Sequence, residues 1–326
     1  MLMKKIAQQA ASLLTIAVTM MGVCSGSHAQ SWPTKPVRII ASFPPGTPGD
    51  LIARMIQPQL QTAWGQPVIV ENKPGAAGNV GAAEVARATD NHTLLVGPDT
   101  MLTINPHIYK KLSFNPIGDL EPITYMASFN QVFACHPRVG AASLRAVLKT
   151  ARDDSFAYAS GGAGSPSHMA MEMLLSAANS KMNHIAYRGP GPAMQDVLAG
   201  QVNCGFIVAS LVSPHVKAGK VHALAVSGAV PVPSLPNVPT VADTVAPGFD
   251  AMFYEGMFAP KSMPAELREK VSRDVRAALS SEKIKRQLLE SDLIVVASTP
   301  FDTKSRLNKD SQKWGAVALK IGLQLD

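Results

Sequence analysis

The sequence predicts an α/β fold in two domains, with mostly parallel sheets flanked by helices. Three observations predict it. Short apolar runs of strand length alternate with helical patterns, twice over along the chain. The 326 residues exceed a usual single core. Two Gly-rich turns, residues 42–50 and 161–168, each run from an apolar strand into a helix start.

The first half opens with a strand at 37–42. The helix after it is expected to begin near Asp50 and bury Leu51, Ile52, Met55 and Ile56, with Pro58 kinking or shortening it. A strand at 68–70, a turn at 73–78, Asn79 as N-cap, a helix at 80–88 and a strand at 93–96 follow. The rhythm repeats with strands at 131–135, 156–160, 183–187, 202–208 and 222–226. Helices fit 143–151, 166–178, 192–199 and 211–218, and Gly200 and Gly219 stand where helix-ending glycines belong. The Pro-rich stretch 230–240 reads as an extended connection. A strand at 253–258 and a helix at 264–280 come next, the helix burying Leu267, Val271, Val275 and Leu279 every fourth residue. Thr299, Pro300 and Asp302 start the last helix: a cap, a proline in the first turn, then an early acid.

Residues 1–29 read as an export signal: Lys4 and Lys5, an apolar stretch at 10–23 and a small-x-small site at Ser27-His28-Ala29. Val23 before Cys24 is too large for a lipidation site. The chain after the signal is expected to be exported and periplasmic, with no membrane span. The charge of +7 falls to +5 without Lys4 and Lys5. It is scattered, which argues against a nucleic-acid partner. Cys135 and Cys204 lie in apolar strand-like runs; two buried thiols are the preferred reading and a disulfide the other. No metal-ligand spacing occurs, and neither a metal nor a cofactor is expected.

The turn Gly161-Gly162-Ala163-Gly164-Ser165-Pro166-Ser167-His168 gathers free N–H groups, hydroxyls and an imidazole at one helix start, a ready carboxylate site. A hydrolase with Ser165 as nucleophile lacks a G-x-S-x-G elbow and a triad arrangement. Ser165 reads as a cap, and His168 as a neutral hydrogen-bonding group, because the helix dipole disfavours imidazolium there. In the first turn the glycines let backbone approach a ligand, Thr47 adds a hydroxyl, and Asp50 reads as an N-cap. Residues 75–79 form a third turn at the same sheet edge. Tyr187-Arg188-Gly189 forms a fourth, where Arg188 reads either as a carboxylate partner or as a solvated side chain.

Seven stretches carry a resemblance: WPTKPVRIIASFPPGTPGD, QPVIVENKPGAAGNVGA, HTLLVGPDT, INPHIYKKLSFNPIGDLEPIT, YASGGAGSPSHMAMEML, HIAYRGPGPAMQDVLAGQV and LPNVPTVADTVAPGF. In this order they resemble the tripartite tricarboxylate transporter substrate-binding proteins, the Bug or TctC periplasmic receptors. The resemblance implies a two-domain periplasmic-binding-protein fold of the Venus-flytrap type II kind, without enzymatic activity. It places domain 1 at 30–127 and 226–326, and domain 2 at 128–225. It implies a small organic carboxylate as ligand, a monomer, and the permease subunits of a tripartite transporter as partner; a sensor partner is the other reading. The ligand positions it implies are Phe43, Pro45, Gly46, Thr47, Asp50, Asn79, Thr100, Gly162, Ala163, Gly164, Ser165, His168, Arg188 and Ile207. The chain departs from the family pattern at Thr47, Pro48 and Gly49 in the first turn and at Ile207, where relatives often carry an acid. An apolar Ile207 beside the ligand implies a carboxylate lacking an ammonium group.

Overall fold

Apolar runs become eleven strands among the described residues. The computed structural model describes residues 32–151 and 156–326, so the export signal expected at 1–29 lies outside the described residues. In chain order the strands are β1 (Val37–Ala41), β2 (Val68–Asn72), β3 (Thr93–Pro98), β4 (Leu120–Phe129), β5 (Gln131–Cys135), β6 (Ala157–Ser160), β7 (Asn183–Ala186), β8 (Cys204–Val208), β9 (His222–Val226), β10 (Phe253–Pro260) and β11 (Leu293–Val295). They form two sheets, ordered β11-β4-β10-β3-β1-β2 and β7-β6-β8-β5-β9. Residues 35–326 make one compact unit that carries both.

The sheets are mixed, which corrects the mostly parallel expectation. Pairs built by βαβ crossovers are parallel: β1 with β2 and β3, β6 with β7 and β8. The remaining pairs are antiparallel: β10 with β3 and β4, β11 with β4, and β5 with β8 and β9. These involve the strands where the chain changes sheets. β4 and β5 are separated only by Asn130, so one extended run leaves the first sheet and enters the second. β4 escaped the sequence reading because LEPITYMASF is buried on both faces and shows no alternation.

Most helices lie where the apolar spacing places them. The Pro166–Ala178 helix has the expected limits. The first helix corrects its expectation: it runs Pro48–Trp64, with Thr47 as N-cap, and passes through Pro58. An interior proline costs about 3 kcal/mol. Ile52, Ile56, Leu60 and Trp64 form one buried stripe across it, and Trp64 Nε1 donates to Asp274 at 2.8 Å. That packing carries the helix past the break. Gly78, at φ +91°, takes the N-cap position assigned to Asn79, which becomes the first residue of the Asn79–Ala86 helix.

Each sheet has its own core. Ile40, Leu95, Met101, Tyr125 and Phe258 cluster on the first. Val132, Ala134, Ile207, Val212 and Val226 cluster on the second. The two crossings between the sheets are tied to each other: buried Asn130 accepts from the Gly228 amide at 2.7 Å and donates to the Val230 carbonyl at 3.2 Å.

Cys135 and Cys204 face each other across the β5–β8 pair and form a disulfide with Cα atoms 4.0 Å apart, which corrects the free-thiol reading. The antiparallel register brings them together across 69 residues of sequence. A cross-link of that span restricts the unfolded chain most, worth about 2–4 kcal/mol. The Cys135→Ala/Cys204→Ala double variant is expected to unfold at lower urea with a free-energy loss of that size. Equal stability, or two titratable thiols in the oxidised wild type, would show that the bridge does not form.

Candidate ligand-binding cleft

Both Gly-rich turns end at helix starts built the same way: an extended cap, then proline in the first position. Thr47 and Pro48 form one pair, Ser165 and Pro166 the other. Proline has no N–H to leave unpaired there, and its fixed φ suits the helix. In the first turn the Thr47 hydroxyl donates to the Pro44 carbonyl at 2.7 Å. Asp50 accepts from the Gly46 amide, Arg54 Nε and Asn72 Nδ2, each at 2.9 Å. Its carboxylate therefore ties turn, helix and β2 together and is not offered to a ligand.

The second turn is braced from within. Ser165 Oγ accepts from the His168 amide at 3.4 Å and lies 3.0 Å from Ser167 Oγ, which accepts from the Gly161 amide at 2.8 Å. His168 Nδ1 accepts from the Gly164 amide at 3.0 Å, so the proton of the neutral ring sits on Nε2. The ring stacks on His184 with centroids 4.0 Å apart, and His184 stacks on Tyr158 at 4.8 Å. Burial, helped by His184, pulls the His168 pKa down to about 3; burial pulls His184 down to about 4. Ser165 is a cap, its hydroxyl engaged by a backbone amide and a serine rather than by imidazole; the hydroxyl that meets an imidazole is that of Ser160, 2.6 Å from His184 Nε2.

Both helix starts line one small inner cavity of about 30 Å³. Thr47 and Pro48 form one wall, Ser165, Pro166 and Ser167 the other, with Phe43, Phe129 and Val208 between. The amides of Asp50 and Ser167, one per helix, have no acceptor among the described residues. A larger outer cavity of about 590 Å³ shares Phe43 and Gly161 with it and takes in Gly162, Ala163, Tyr109 and the exposed Arg188. The first turn touches the Tyr187–Gly189 turn of the other sheet: a Cβ on Gly189 would lie 2.8 Å from Pro44 Cγ.

Of the residues read from the sequence, Phe43, Thr47, Gly162, Ala163, Ser165 and Arg188 line these cavities. Gly46, Asp50, Gly164 and His168 hold the turns in shape from behind. Pro45 is exposed, and Thr100 is buried at the start of a short helix. Asn79 Oδ1 is engaged by Asn105 Nδ2 at 2.7 Å. Ile207 is a correction: it is fully buried in the core of the second sheet, because side chains alternate along β8 and the cavity face goes to Val208. The argument against an ammonium group loses its premise with it.

Two polar side chains that the sequence reading missed close the inner cavity, Gln131 and Glu255. Both are buried, and Gln131 Oε1 and Glu255 Oε2 have no partner among the described residues. Burial, then the nearby Asp99 carboxyl, push Glu255 well above the usual carboxylate range; burial, then Asp310, raise Asp99 to about 8. The available signal for Glu255 was a lone acid within the apolar run FYEGMFAP.

Two α/β sheets, each aiming a helix start at a shared cleft, define a solute-binding protein. A profile described as "Tripartite tricarboxylate transporter family receptor" (TctC) matches residues 52–323, and the chain belongs to that family. It is 28% identical over 318 residues to Protein BugT of Bordetella pertussis, covering 96% of this chain and 98% of the relative. Among solved structures it is similar to R. palustris Rpa4515 with adipate, at TM-score 0.85 and 25% identity, covering 90% of this chain and 99% of that one. It is also similar to MatC (Rpa3494) from Rhodopseudomonas palustris with bound malate, at TM-score 0.83 and 26% identity, covering 88% and 99%.

The buried histidines make stability pH-dependent. Both fold neutral with depressed pKa values, while in the unfolded chain they titrate near 6.5. Their contribution is full above about pH 6.5 and is lost as pH falls toward about 4 for His184 and about 3 for His168. Urea unfolding is expected to show stability dropping from pH 7 to pH 5, with a shallower slope in His168→Gln/His184→Gln. The same slope in the double variant would mean that these rings do not carry the effect.

Proposed function

We propose that this protein captures a small organic carboxylate in the cleft and hands it to the permease subunits of a tripartite tricarboxylate-type transporter. One observation carries the reading. Two helix N-termini with unpaired amides converge on one cavity, with no lysine or arginine among its inner lining residues. Such amides, with the helix dipoles behind them, bind anions without a cation. The adipate and malate held by the similar proteins Rpa4515 and MatC support a carboxylate as the class.

The rest of the reading follows from the family and the topology. Export to the periplasm and action as a monomer fit a receptor that meets its permease at the membrane. Among the described residues no helix is long and apolar enough to cross one. The domain limits we propose are 30–127 with 226–326, and 128–225. The crossings at Asn130 and at 226–230 then form the hinge.

A thermal-shift screen against organic acids tests the ligand class. An acid at about 100 times its Kd adds roughly 2.7 kcal/mol, a rise of several degrees for a chain of this size. Shifts by sugars or amines and by no acid would remove the carboxylate reading.

Closure has its own test. Gly189 sits at φ +110°, and a side chain there would strike Pro44. Gly189→Ala is expected to disfavour the closed state by about 1–3 kcal/mol, weakening binding of the acid identified about five- to a hundredfold. Unchanged affinity would mean that the first turn and the Tyr187–Gly189 turn do not meet in the bound state.

A further inference from the structure

Glu255 sits at the floor of the cleft, and the carboxylate reading gives it no role. It belongs to β10, is 3% exposed, and lines the inner cavity together with Thr47, Ser165 and Ser167. Its Oε2 has no partner among the described residues. The carboxyl is pressed against the first helix start: a Cβ on Gly49 would lie 2.8 Å from Oε2, and the nearby Gly49 amide pulls against burial and Asp99 by favouring the charged form.

We propose that Glu255 is a specificity-determining residue whose carboxyl O–H donates a hydrogen bond to an oxygen of the bound acid. This rests on the carboxylate reading above. The charged surroundings favour the neutral form. Beside Glu255, past the end of β3, stands Asp99, a second buried carboxyl. Asp310, Arg306 and Lys313 of the last helix act on Asp99. On the Pro48–Trp64 helix Asp50 is already held by Arg54. On the opposing helix His168 is turned into its own loop. An ionised Glu255 would lose its water and gain no counter-charge, and an arriving ligand carboxylate would disfavour ionisation further. The neutral acid supplies one O–H donor. A donor facing a charged oxygen makes one of the stronger hydrogen bonds available.

Binding is then linked to a proton. Glu255 is held well above the usual carboxylate range by burial and Asp99. Affinity is full below its raised pKa and falls as pH climbs past it, by at most about tenfold per pH unit.

Two measurements test this on the purified wild type, Glu255→Gln and Glu255→Leu. Difference infrared spectroscopy at pH 7 is expected to show a protonated-carboxyl band that Glu255→Gln removes. Calorimetry uses succinate, L-malate, adipate, benzoate and L-glutamate between pH 6 and pH 9. Where the wild-type infrared band is lost on raising the pH, the tightest acid is expected to lose affinity over the same range. Glu255→Gln keeps an N–H donor but cannot titrate, and its profile should be flat. Glu255→Leu should bind about ten- to a hundredfold more weakly than the wild type at pH 6.

If acids bind but the infrared shows Glu255 ionised at pH 7, or Glu255→Leu binds the tightest acid as well as the wild type, the proposal fails and the carboxylate reading stands. The proposal alone also fails if L-glutamate is the tightest ligand and Glu255→Gln abolishes its binding, because Glu255 is then an ionised partner for the ammonium group. If no acid binds at all, the carboxylate reading falls and this proposal falls with it.

Discussion

The molecule is organised around a demand that backbone chemistry makes. A helix start leaves N–H groups without acceptors, and burying such groups unpaired costs free energy. Here two starts, at Pro48 and Pro166, face the same small space. Their open donors call for an acceptor between them, water or an anion. The surrounding side chains keep the two turns fixed while leaving those donors open. Asp50 binds Gly46, Arg54 and Asn72. The His168–His184–Tyr158 stack stiffens the Gly161–Ser165 turn from behind. Polar groups that a sequence reading assigns to the ligand are used to shape the backbone that would meet it.

The same demand explains the topology. A site made of two helix starts needs two sheets, each delivering one start at the C-terminal end of a parallel strand: β1 on one side, β6 on the other. The chain must then cross between the sheets. It does so on strands that run antiparallel to their neighbours, and this is why the sheets are mixed. The crossings are short and hydrogen-bonded to each other through Asn130. Under the proposed hinge, motion between the sheets would be confined to a few backbone torsions beside the cleft, while each core stays packed.

Local pattern was legible and register was not. The Pro166–Ala178 helix could be read because its cap, proline and apolar face all lie within thirteen residues. The Ser165 cap and the neutral His168 followed from the same local chemistry. Assignments failed where the answer depended on a partner strand. Whether Ile207 or Val208 faces the cleft is a one-residue question of phase in a run apolar on both faces. The Cys135–Cys204 bridge depends on the β5–β8 register. Glu255 is 66 residues from the nearest turn read as a ligand site, at Gly189, and only β10 pairing with β3 and β4 carries it to the floor of the cleft.

A site whose anion contacts are backbone amides cannot distinguish one carboxylate from another through those contacts, because every carboxylate offers them the same two oxygens. Selectivity must come from what lies beside the amides. The inner cavity is only about 30 Å³, room for about two waters, so it admits the head of an acid and little of its body. On the carboxylate reading proposed above, the body would run past Phe43 toward the outer cavity of about 590 Å³, where Tyr109 and Arg188 stand. On that reading length and apolar character would be sensed at the mouth, and the chemistry next to the carboxylate at the floor. The floor is the one place in the inner cavity where side-chain oxygens, those of Gln131 and Glu255, lie buried without partners. Selection by those two residues acts on the atoms adjacent to the carboxylate, which amides alone leave unread.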